Sequence, residues 1–281
     1  MKRVVAIHDL SCYAKASLTI AIPVLSALGA EVSVLPTALL STQTDGFEQY
    51  HYLDLTDSMQ AILTHWNTLK LSFDAVYSGF LGSERQIAIV GQCIDYQREH
   101  ANPLVLIDPV LGDNGAPYGP ISSSLIEGMR ILVSKADIVT PNPTEAALLL
   151  NERWERELTI RQAIQWARRI TDMGPMHAVI TGLTGETELS VVCYDRSTGT
   201  AKTFSHPYAP DGYPGAGDMF ASILCGLTLN GMSFFQAVET SASISAAAIF
   251  HSWESHVERR HGVEIEALMC ELIRYNPMYK L

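Results

Sequence analysis

The chain has 281 residues, of which 47 % are hydrophobic, and its formal net charge is -11. This length is sufficient for one large α/β core, and the apolar content predicts a chain that folds by itself. The negative charge, with a sequence pI of about 5.2, argues against nucleic acid and anionic membrane surfaces as partners. A polyanionic substrate would therefore need local backbone amides or a metal ion to hold it.

The cysteines and the apolar segments indicate the compartment. The five cysteines contain no Cys-x-x-Cys pair, and residues 1–7 predict a strand rather than a secretory leader. The longest apolar runs, such as residues 244–250, are too short to span a membrane. We therefore expect a cytoplasmic protein without a membrane partner.

Apolar strand-like segments alternate with helical patterns along the chain. The predicted strands are residues 4–7, 31–35, 73–77, 104–107, 138–139, 178–181, 189–194 and 201–204. The predicted helices are residues 17–28, 57–69, 84–100, 122–133, 144–150 and 159–171, followed by three more, the first of them over 219–229. The last two strands read as an antiparallel pair around a turn at 195–199. Apolar strands joined by helices indicate an α/β fold with a doubly wound, mostly parallel sheet flanked by helices, in a single domain of residues 1–281.

A glycine-rich stretch, Asp211-Gly-Tyr-Pro-Gly-Ala-Gly-Asp218, runs directly into the helix predicted from Met219. Gly215 and Gly217 allow a ligand to approach the backbone, and the first amides of a helix have no intrahelical partner, so the stretch predicts a phosphate site. Asp218 would repel a phosphate, and two interpretations remain open. It either takes a proton from a hydroxyl group that attacks phosphorus, or caps the helix.

Further polar residues follow the predicted strands, where ligands bind in open α/β sheets. Asp108, Asp113, Asn142 and Glu145 carry oxygen atoms of the kind that hold hydrated Mg²⁺. Each of these residues also suits an ordinary turn or helix cap. Their shared position at strand ends nevertheless favours a site for Mg²⁺ and nucleotide phosphates.

Four segments together resemble a known family. They are Tyr77-Ser-Gly-Phe-Leu-Gly-Ser83, Asp108-Pro-Val-Leu-Gly-Asp113, Thr140-Pro-Asn-Pro-Thr-Glu145 and Gly215-Ala-Gly-Asp218. Over essentially its whole length the chain resembles the ribokinase superfamily and, within it, the pyridoxal (pyridoxine, pyridoxamine) kinases of the vitamin B6 branch. The resemblance implies a ribokinase-like three-layer sandwich and ATP-dependent phosphorylation of the 5′-hydroxymethyl group of pyridoxal, pyridoxine or pyridoxamine. It also implies Mg²⁺, room for a monovalent cation, and a homodimer.

The same resemblance assigns roles by position. Asp218 would be the general base, and the amides of Gly215, Ala216 and Gly217 would form an anion hole for the transferred phosphoryl group. The residues matched to the nucleotide and Mg²⁺ are Asn142, Thr181 and Gly182, with Asp113 and Glu145 beside the metal. The residues matched to the substrate pocket are Asp9, Ser11, Thr44 and Phe80, whose ring suits contact with a pyridine.

Two stretches depart from the common family pattern. Asp9 stands where many of these kinases have a serine that touches the pyridine, so a carboxylate would meet the ring nitrogen or the amine of pyridoxamine. Gln43 is similar to the glutamine of hydroxymethylpyrimidine kinases, which gives an alternative function in thiamine synthesis. Those enzymes often have cysteine where Asp218 stands, and this favours the B6 kinases. A catalytically inactive B6-binding protein is a third alternative, opposed by the intact Asp218, Asp113 and Glu145.

Two other interpretations are disfavoured by the sequence. The first strand is followed by no Gly-x-Gly-x-x-Gly motif, so a Rossmann dehydrogenase is not expected. His251, His256 and His261 are spaced by five residues, which does not stack them on one helical face. We interpret them as solvated histidines rather than metal ligands.

Overall fold

A computed structural model of the chain describes residues 1–119, 121–154, 158–185, 187–207, 209 and 212–279. The strands are β1 (Lys2–Ile7), β2 (Leu10–Ser11), β3 (Ala30–Val34), β4 (Ala38–Leu40), β5 (Tyr52–Asp54), β6 (Ala75–Ser78), β7 (Leu104–Ile107), β8 (Gly112–Asp113), β9 (Ala116–Pro117), β10 (Ile138–Val139), β11 (His177–Thr184), β12 (Glu188–Asp195) and β13 (Thr200–Pro207). The helices are α1 (Leu18–Ala27), α2 (Thr56–Thr68), α3 (Glu84–His100), α4 (Ser123–Val133), α5 (Pro143–Leu150), α6 (Ile160–Asp172), α7 (Ala216–Leu229), α8 (Phe234–Glu254) and α9 (Met269–Ile273).

The central sheet has eight strands in the order β13-β12-β11-β10-β7-β6-β1-β3. The pairs from β3 to β11 are parallel, and β12 and β13 continue the sheet as antiparallel strands. The predicted α/β class and the mostly parallel sheet are confirmed. The antiparallel pair around the turn at 195–199 is also as predicted.

The inner strands are apolar throughout because both faces of the sheet are buried. In β1, Val5 and Ile7 face the core covered by α2–α6, whereas Val4 faces the core covered by α1, α7 and α8. In β7, Val105 faces the first of these cores and Leu106 faces the second. This alternation with period two produces the three layers. Because the pairs from β3 to β11 are parallel, the carboxyl ends of these strands lie at one edge of the sheet.

Two small elements were not predicted. The strands β2, β4 and β5 form a separate three-stranded sheet, and β8 pairs with β9 in a hairpin. Each of these strands has only two or three residues, too few for a clear alternation of apolar and polar side chains. The strands β2 and β4 directly follow β1 and β3 of the central sheet, so the small sheet borders the expected ligand edge.

The remaining boundaries differ from prediction by a few residues. Gly29 has a φ of 90° directly after the C-cap of α1, as expected for a glycine that ends a helix. The chain closes with α7, α8 and the five-residue α9. Asp211, the first residue of the glycine-rich stretch, lies outside the described residues. In the described ranges, no helix combines the length and the apolarity that crossing a membrane requires.

Candidate active site

Asp218 lies in the first turn of α7, but it does not cap that helix. The N-cap is Gly215, which has a φ of 80° and no side chain with which to cap. The Asp218 carboxylate instead accepts a hydrogen bond of 2.8 Å from the backbone amide of Ser17, in the loop after β2. Of the two interpretations of Asp218 that the sequence left open, the geometry supports a carboxylate directed into the strand-end site.

Burial makes Asp218 a stronger base than a solvated carboxylate. Desolvation, together with the negative charges of Asp108 and Asp9, raises the pKa of Asp218 to about 8, against the opposing hydrogen bond from Ser17. A carboxylate whose conjugate acid has this pKa can accept a proton from an alcohol near neutral pH and release it again. Tyr77, which is fully buried, donates its hydroxyl to the Asp218 carbonyl at 3.3 Å and so fixes the start of the helix.

The glycine-rich loop before Asp218 presents amides that the helix does not use. The Ala216 amide donates to the carbonyl of Tyr213 at a long 3.3 Å, whereas the described part of the chain offers no acceptor to the amides of Gly217 and Asp218. A Cβ atom at Gly215 would lie 2.2 Å from Ile20 and 2.9 Å from the carbonyl oxygen of Lys15, while one at Gly217 would meet nothing within 4 Å. The loop is therefore packed tightly on its inner side and open on the side of these amides.

The residues after β1 form a second part of the site. Asp9 and Ser11 are both buried, and the Ser11 hydroxyl donates to the Asp9 carboxylate at 3.2 Å. Burial raises the pKa of Asp9, and hydrogen bonds from the Ser17 and Ser11 side chains oppose that shift. Ser17 thus links two carboxylates, because its backbone amide binds Asp218 and its side chain binds Asp9.

The other predicted pocket residues lie further along the same edge. Phe80 follows β6, is half-buried against the core of α2–α6, and accepts a hydrogen bond at its carbonyl from the Thr37 hydroxyl at 3.0 Å. Thr44 is exposed on the loop after β4. Its neighbour Gln43 is buried, and its side-chain amide donates to the carbonyls of Asp45 and Arg260, the latter at 2.9 Å.

Asn142 and Glu145 form a capping box at the start of α5. Glu145 accepts the amides of Asn142 at 2.8 Å and Leu111 at 3.2 Å, while the Asn142 side chain accepts the Glu145 amide and donates to the Gly112 carbonyl. Asp113, in β8, is exposed and accepts from the amide of Asn114. The buried Glu145 therefore secures the loop that carries Asp113 against α5.

Thr181 and Gly182 lie where β11 departs from its neighbour. The register between β11 and β12 shifts between Ile180 and Leu183, and Gly182 has a φ of 66°. The Thr181 amide donates to the Pro141 carbonyl at 3.1 Å. This bulge brings backbone at 181–182 beside the start of α5, next to the expected nucleotide residues.

Buried carboxyl groups join the two halves of the site. Desolvation raises the pKa of Asp108 to about 7 despite a hydrogen bond of 2.9 Å from the Thr140 hydroxyl. Burial, followed by the charge of Asp108, raises the pKa of Glu145 well above its ordinary value. The electrostatic effects of Asp108 on both Glu145 and Asp218 place it between the expected metal side and the base.

Sequence reasoning assigned no role to three residues that the structure brings to Asp218. They are His8, Ser17 and Tyr77. Ser17 has a φ of 51°, in the left-handed region, and a serine in the sequence does not predict this backbone conformation. His8 and Tyr77 lie at the carboxyl ends of β1 and β6, where ligands bind in open α/β sheets, and this position is the signal that could have suggested a role for each.

The three spaced histidines do not come together. His251 lies 3.5 Å from Glu264, and His261 lies 3.5 Å from Glu258, with side chains that are each more than two-fifths exposed. Across the residues that the structure describes, no group of three or more His, Cys, Asp or Glu side chains is arranged to hold a metal ion. These contacts fit the interpretation of His251 and His261 as surface histidines.

Comparisons with known proteins place the chain in a family. The family model described as phosphomethylpyrimidine kinase matches residues 21–263. The chain belongs to this family. A Bordetella avium protein named pyridoxine/pyridoxal/pyridoxamine kinase is 28 % identical over 267 residues, which are 88 % of this chain and 84 % of that protein.

Solved structures agree with the family. A Bacteroides thetaiotaomicron protein, described as a phosphomethylpyrimidine kinase and crystallised with pyridoxal, is 36 % identical with a TM-score of 0.91, covering 96 % of this chain and 95 % of its own. Pyridoxal kinase from Lactobacillus plantarum is 26 % identical with a TM-score of 0.90, covering 99 % of both chains. The predicted relationship to the pyridoxal kinases, the ribokinase-like fold and the assignment as an ATP-dependent small-molecule kinase are confirmed.

Proposed function

We propose that this kinase transfers the γ-phosphoryl group of ATP to the 5′-hydroxymethyl group of a vitamin B6 vitamer, with Asp218 as general base. The observation that carries the proposal is the Asp218 carboxylate, only 14 % exposed and directed by the Ser17 amide at 2.8 Å into the site beside the open amides of the glycine-rich loop. The relatives named pyridoxal kinase support the choice of substrate. We place the whole activity in a single domain of residues 1–281.

The reaction follows from this arrangement. As the substrate oxygen attacks the γ-phosphorus, Asp218 takes the hydroxyl proton, an O–P bond forms, and the bond to the bridging oxygen of ADP breaks. The amides of the loop from Gly215 to Gly217 face the negative charge on the transferred group and stabilise it. Among the described residues the Gly217 amide has no acceptor, whereas the Ala216 amide also donates weakly to the Tyr213 carbonyl. Asp218 then releases its proton to solvent once the phosphorylated product has left.

The residues around Asp113 and Glu145 fit a magnesium ion. Burial and mutual repulsion among Asp108, Glu145 and Asp113 raise the pKa of Glu145, so a cation nearby would relieve uncompensated negative charge. Both Glu145 oxygens accept backbone amides, and we therefore expect the exposed Asp113 to be the more direct ligand. When bound, Mg²⁺ supplies charge neutralisation of the triphosphate. Mg²⁺ in proteins commonly keeps several water ligands and binds one or two carboxylates together with substrate phosphates. A monovalent cation beside the Mg²⁺ stays a prediction.

Hydroxymethylpyrimidine is the second candidate substrate, because the family model is described as phosphomethylpyrimidine kinase. The sequence argument for it rested on Gln43. In the structure the Gln43 side chain binds the backbone of Asp45 and Arg260, so this glutamine holds two loops together. This engagement leaves the B6 vitamers as the preferred proposal.

One substrate panel tests the proposal. With ATP and Mg²⁺, we expect the kcat/KM for pyridoxal, pyridoxine or pyridoxamine to be higher than the kcat/KM for hydroxymethylpyrimidine. EDTA should abolish turnover and added Mg²⁺ should restore it. A higher kcat/KM for the pyrimidine would instead assign the enzyme a function in thiamine synthesis. Tight binding of a vitamer without turnover would indicate the inactive B6-binding protein.

Asp9 provides a prediction about selectivity. If its carboxylate meets the ring nitrogen or an amine of the substrate, a charge-assisted hydrogen bond contributes about 1 to 3 kcal/mol. Asp9→Ser should then lower kcat/KM for pyridoxamine more than for pyridoxal. Ser11→Ala is the matched control, since it removes a hydrogen bond to Asp9 but leaves the charge. An equal loss for both vitamers would show that Asp9 does not contact the amine of pyridoxamine, because the ring nitrogen is common to both vitamers.

We further propose that the kinase is a cytoplasmic homodimer. All five cysteines are free, which agrees with a reducing compartment. Tyr50, Tyr52 and Leu53 are each 38 to 46 % exposed on or beside the small sheet of β2, β4 and β5. Apolar side chains exposed on an edge strand are typical of a surface that a second copy covers.

A further inference from the structure

His8 is a buried histidine with no hydrogen-bond partner. It directly follows β1, its side chain is fully buried, and within the described residues neither ring nitrogen finds a donor or acceptor. Burial lowers the pKa of His8 to about 3, so the imidazole is neutral throughout the physiological range. An unpaired polar group in this position is costly, and its retention calls for a function that the resting geometry does not satisfy.

The ring is aimed at the proposed base. Its Nδ1 atom lies 3.8 Å from Oδ1 of Asp218, while the other carboxylate oxygen, Oδ2, accepts the Ser17 amide at 2.8 Å. Tyr77 holds the ring edge-on with centroids 4.3 Å apart. A Cβ atom at Gly79 would lie 2.2 Å from the same Nδ1, so the imidazole can occupy this place only because residue 79 has no side chain.

We propose that His8 is a positioning residue that donates from Nδ1–H to Oδ1 of Asp218 in the reacting complex. Together with the Ser17 amide, it then holds both oxygens of the base. The inference rests on the proposed function, since it assigns a partner to the proposed base. The gap of 3.8 Å closes to hydrogen-bond length when substrate fills the site, as catalytic hydrogen bonds are often long in the free enzyme and tighten in the complex.

The surroundings of Asp218 explain why a neutral donor is needed there. The other titratable groups that act on it or feel its charge are Asp9, Asp108, Tyr77 and Tyr118. All of these are acids, and the charges of Asp108 and Asp9 disfavour an ionised Asp218. His8 is too weak a base to take the substrate proton itself, but its N–H favours the ionised carboxylate without competing for that proton.

The test compares His8→Leu with His8→Asn, whose side-chain amide can donate from nearly the place of Nδ1. Losing a donor to the ionised form raises the pKa of Asp218. His8→Leu should therefore lower kcat about tenfold and move the acidic limb of the pH profile of kcat, which reports the enzyme–substrate complex, up by about one pH unit. KM for ATP should stay within about twofold, because the triphosphate does not touch His8 in this scheme. His8→Asn should keep kcat within about threefold of wild type.

Two further measurements complete the experiment. Ser245→Ala is the control, because it removes the buried and unpaired hydroxyl group of a residue on α8. It should leave the pH profile of kcat unchanged. In complexes with a vitamer and a non-hydrolysable ATP analogue, the ¹³C titration of the Asp218 carboxyl group, assigned with Asp218→Asn, should shift upward in His8→Leu and not in His8→Asn. Unshifted titration and profile in His8→Leu, or equal impairment of the Leu and Asn variants, would overturn the inference. Failure of wild type to phosphorylate any vitamer would refute the proposed function, while the carboxyl titration still tests His8.

Discussion

Asp218→Asn is expected to lower kcat by about 10²-fold or more, the range for removal of a general base, while binding of ATP and of the vitamer stays near wild type. Asparagine keeps the size of the side chain and can still accept the Ser17 amide, so the loop after β2 should be preserved. The wild-type kcat/KM should rise with pH until Asp218 is ionised, near its pKa of about 8. The variant should lose this dependence.

The same substitution is expected to stabilise the fold at alkaline pH. The carboxyl group has an ordinary pKa of 3.8, near which it ionises in the unfolded chain, but in the folded chain the pKa is about 8. The unfolded chain therefore releases this proton first, and the contribution of Asp218 to stability falls as pH rises from about 4 to 8. Asp218→Asn should raise the Tm at pH 8 and leave it nearly unchanged at pH 4.

Asp57→Asn is the control for both measurements. Asp57 forms an ion pair with Arg85 at the surface, where its side chain is 88 % exposed, and surface pairs of this kind contribute little to stability. Its loss should change neither kcat nor the pH dependence of Tm. Near wild-type turnover in Asp218→Asn would remove the general base from the mechanism, and a lowered Tm at pH 8 would show that the carboxylate supports the fold.

The sheet was predictable because its strands are buried on both faces. Short apolar runs such as those in β1 and β7 indicate strands that are buried on both faces. Because these runs alternate with helical patterns along the chain, they also predict a parallel sheet. The small sheet was not predictable, because β5 is exposed at all its residues and β2 has only two residues. Pairing between such short strands depends on the loops that surround them rather than on a local pattern.

The site was partly predictable for a similar reason. Asp218, Asn142 and Glu145 lie in motifs whose spacing along the chain already fixes their place at helix starts. His8 and Ser17 act through contacts with Asp218, more than 200 positions away in the chain, and no local pattern encodes such contacts. Glu145 shows a further limit, since the sequence could not reveal that both carboxylate oxygens are taken by the backbone of Leu111 and Asn142.

Gly215→Ala is expected to lower kcat/KM for ATP by about 10²-fold through displacement of the anion-binding loop. The residue has a φ of 80°, and an added methyl group would collide with Ile20 at 2.2 Å and with the Lys15 carbonyl at 2.9 Å. Relief of either collision moves the start of α7 away from the loop that carries Ser17. The amides that face the phosphoryl group and the orientation of Asp218 would change together, and a misplacement of about 1 Å can cost this much.

Gly231→Ala separates the collision from backbone strain. Gly231 has a φ of 87°, but a methyl group there would meet nothing within 4 Å, and it lies beyond the far end of α7. Both variants pay about 1 to 2 kcal/mol for a left-handed alanine, so both should unfold at a lower temperature. Only Gly215→Ala should lose kcat/KM, measured with ATP and Mg²⁺ well below the Tm of each variant. Equal activity in the two variants would mean that the loop tolerates the displacement, and the anion hole would then have to be sought elsewhere along the strand-end edge.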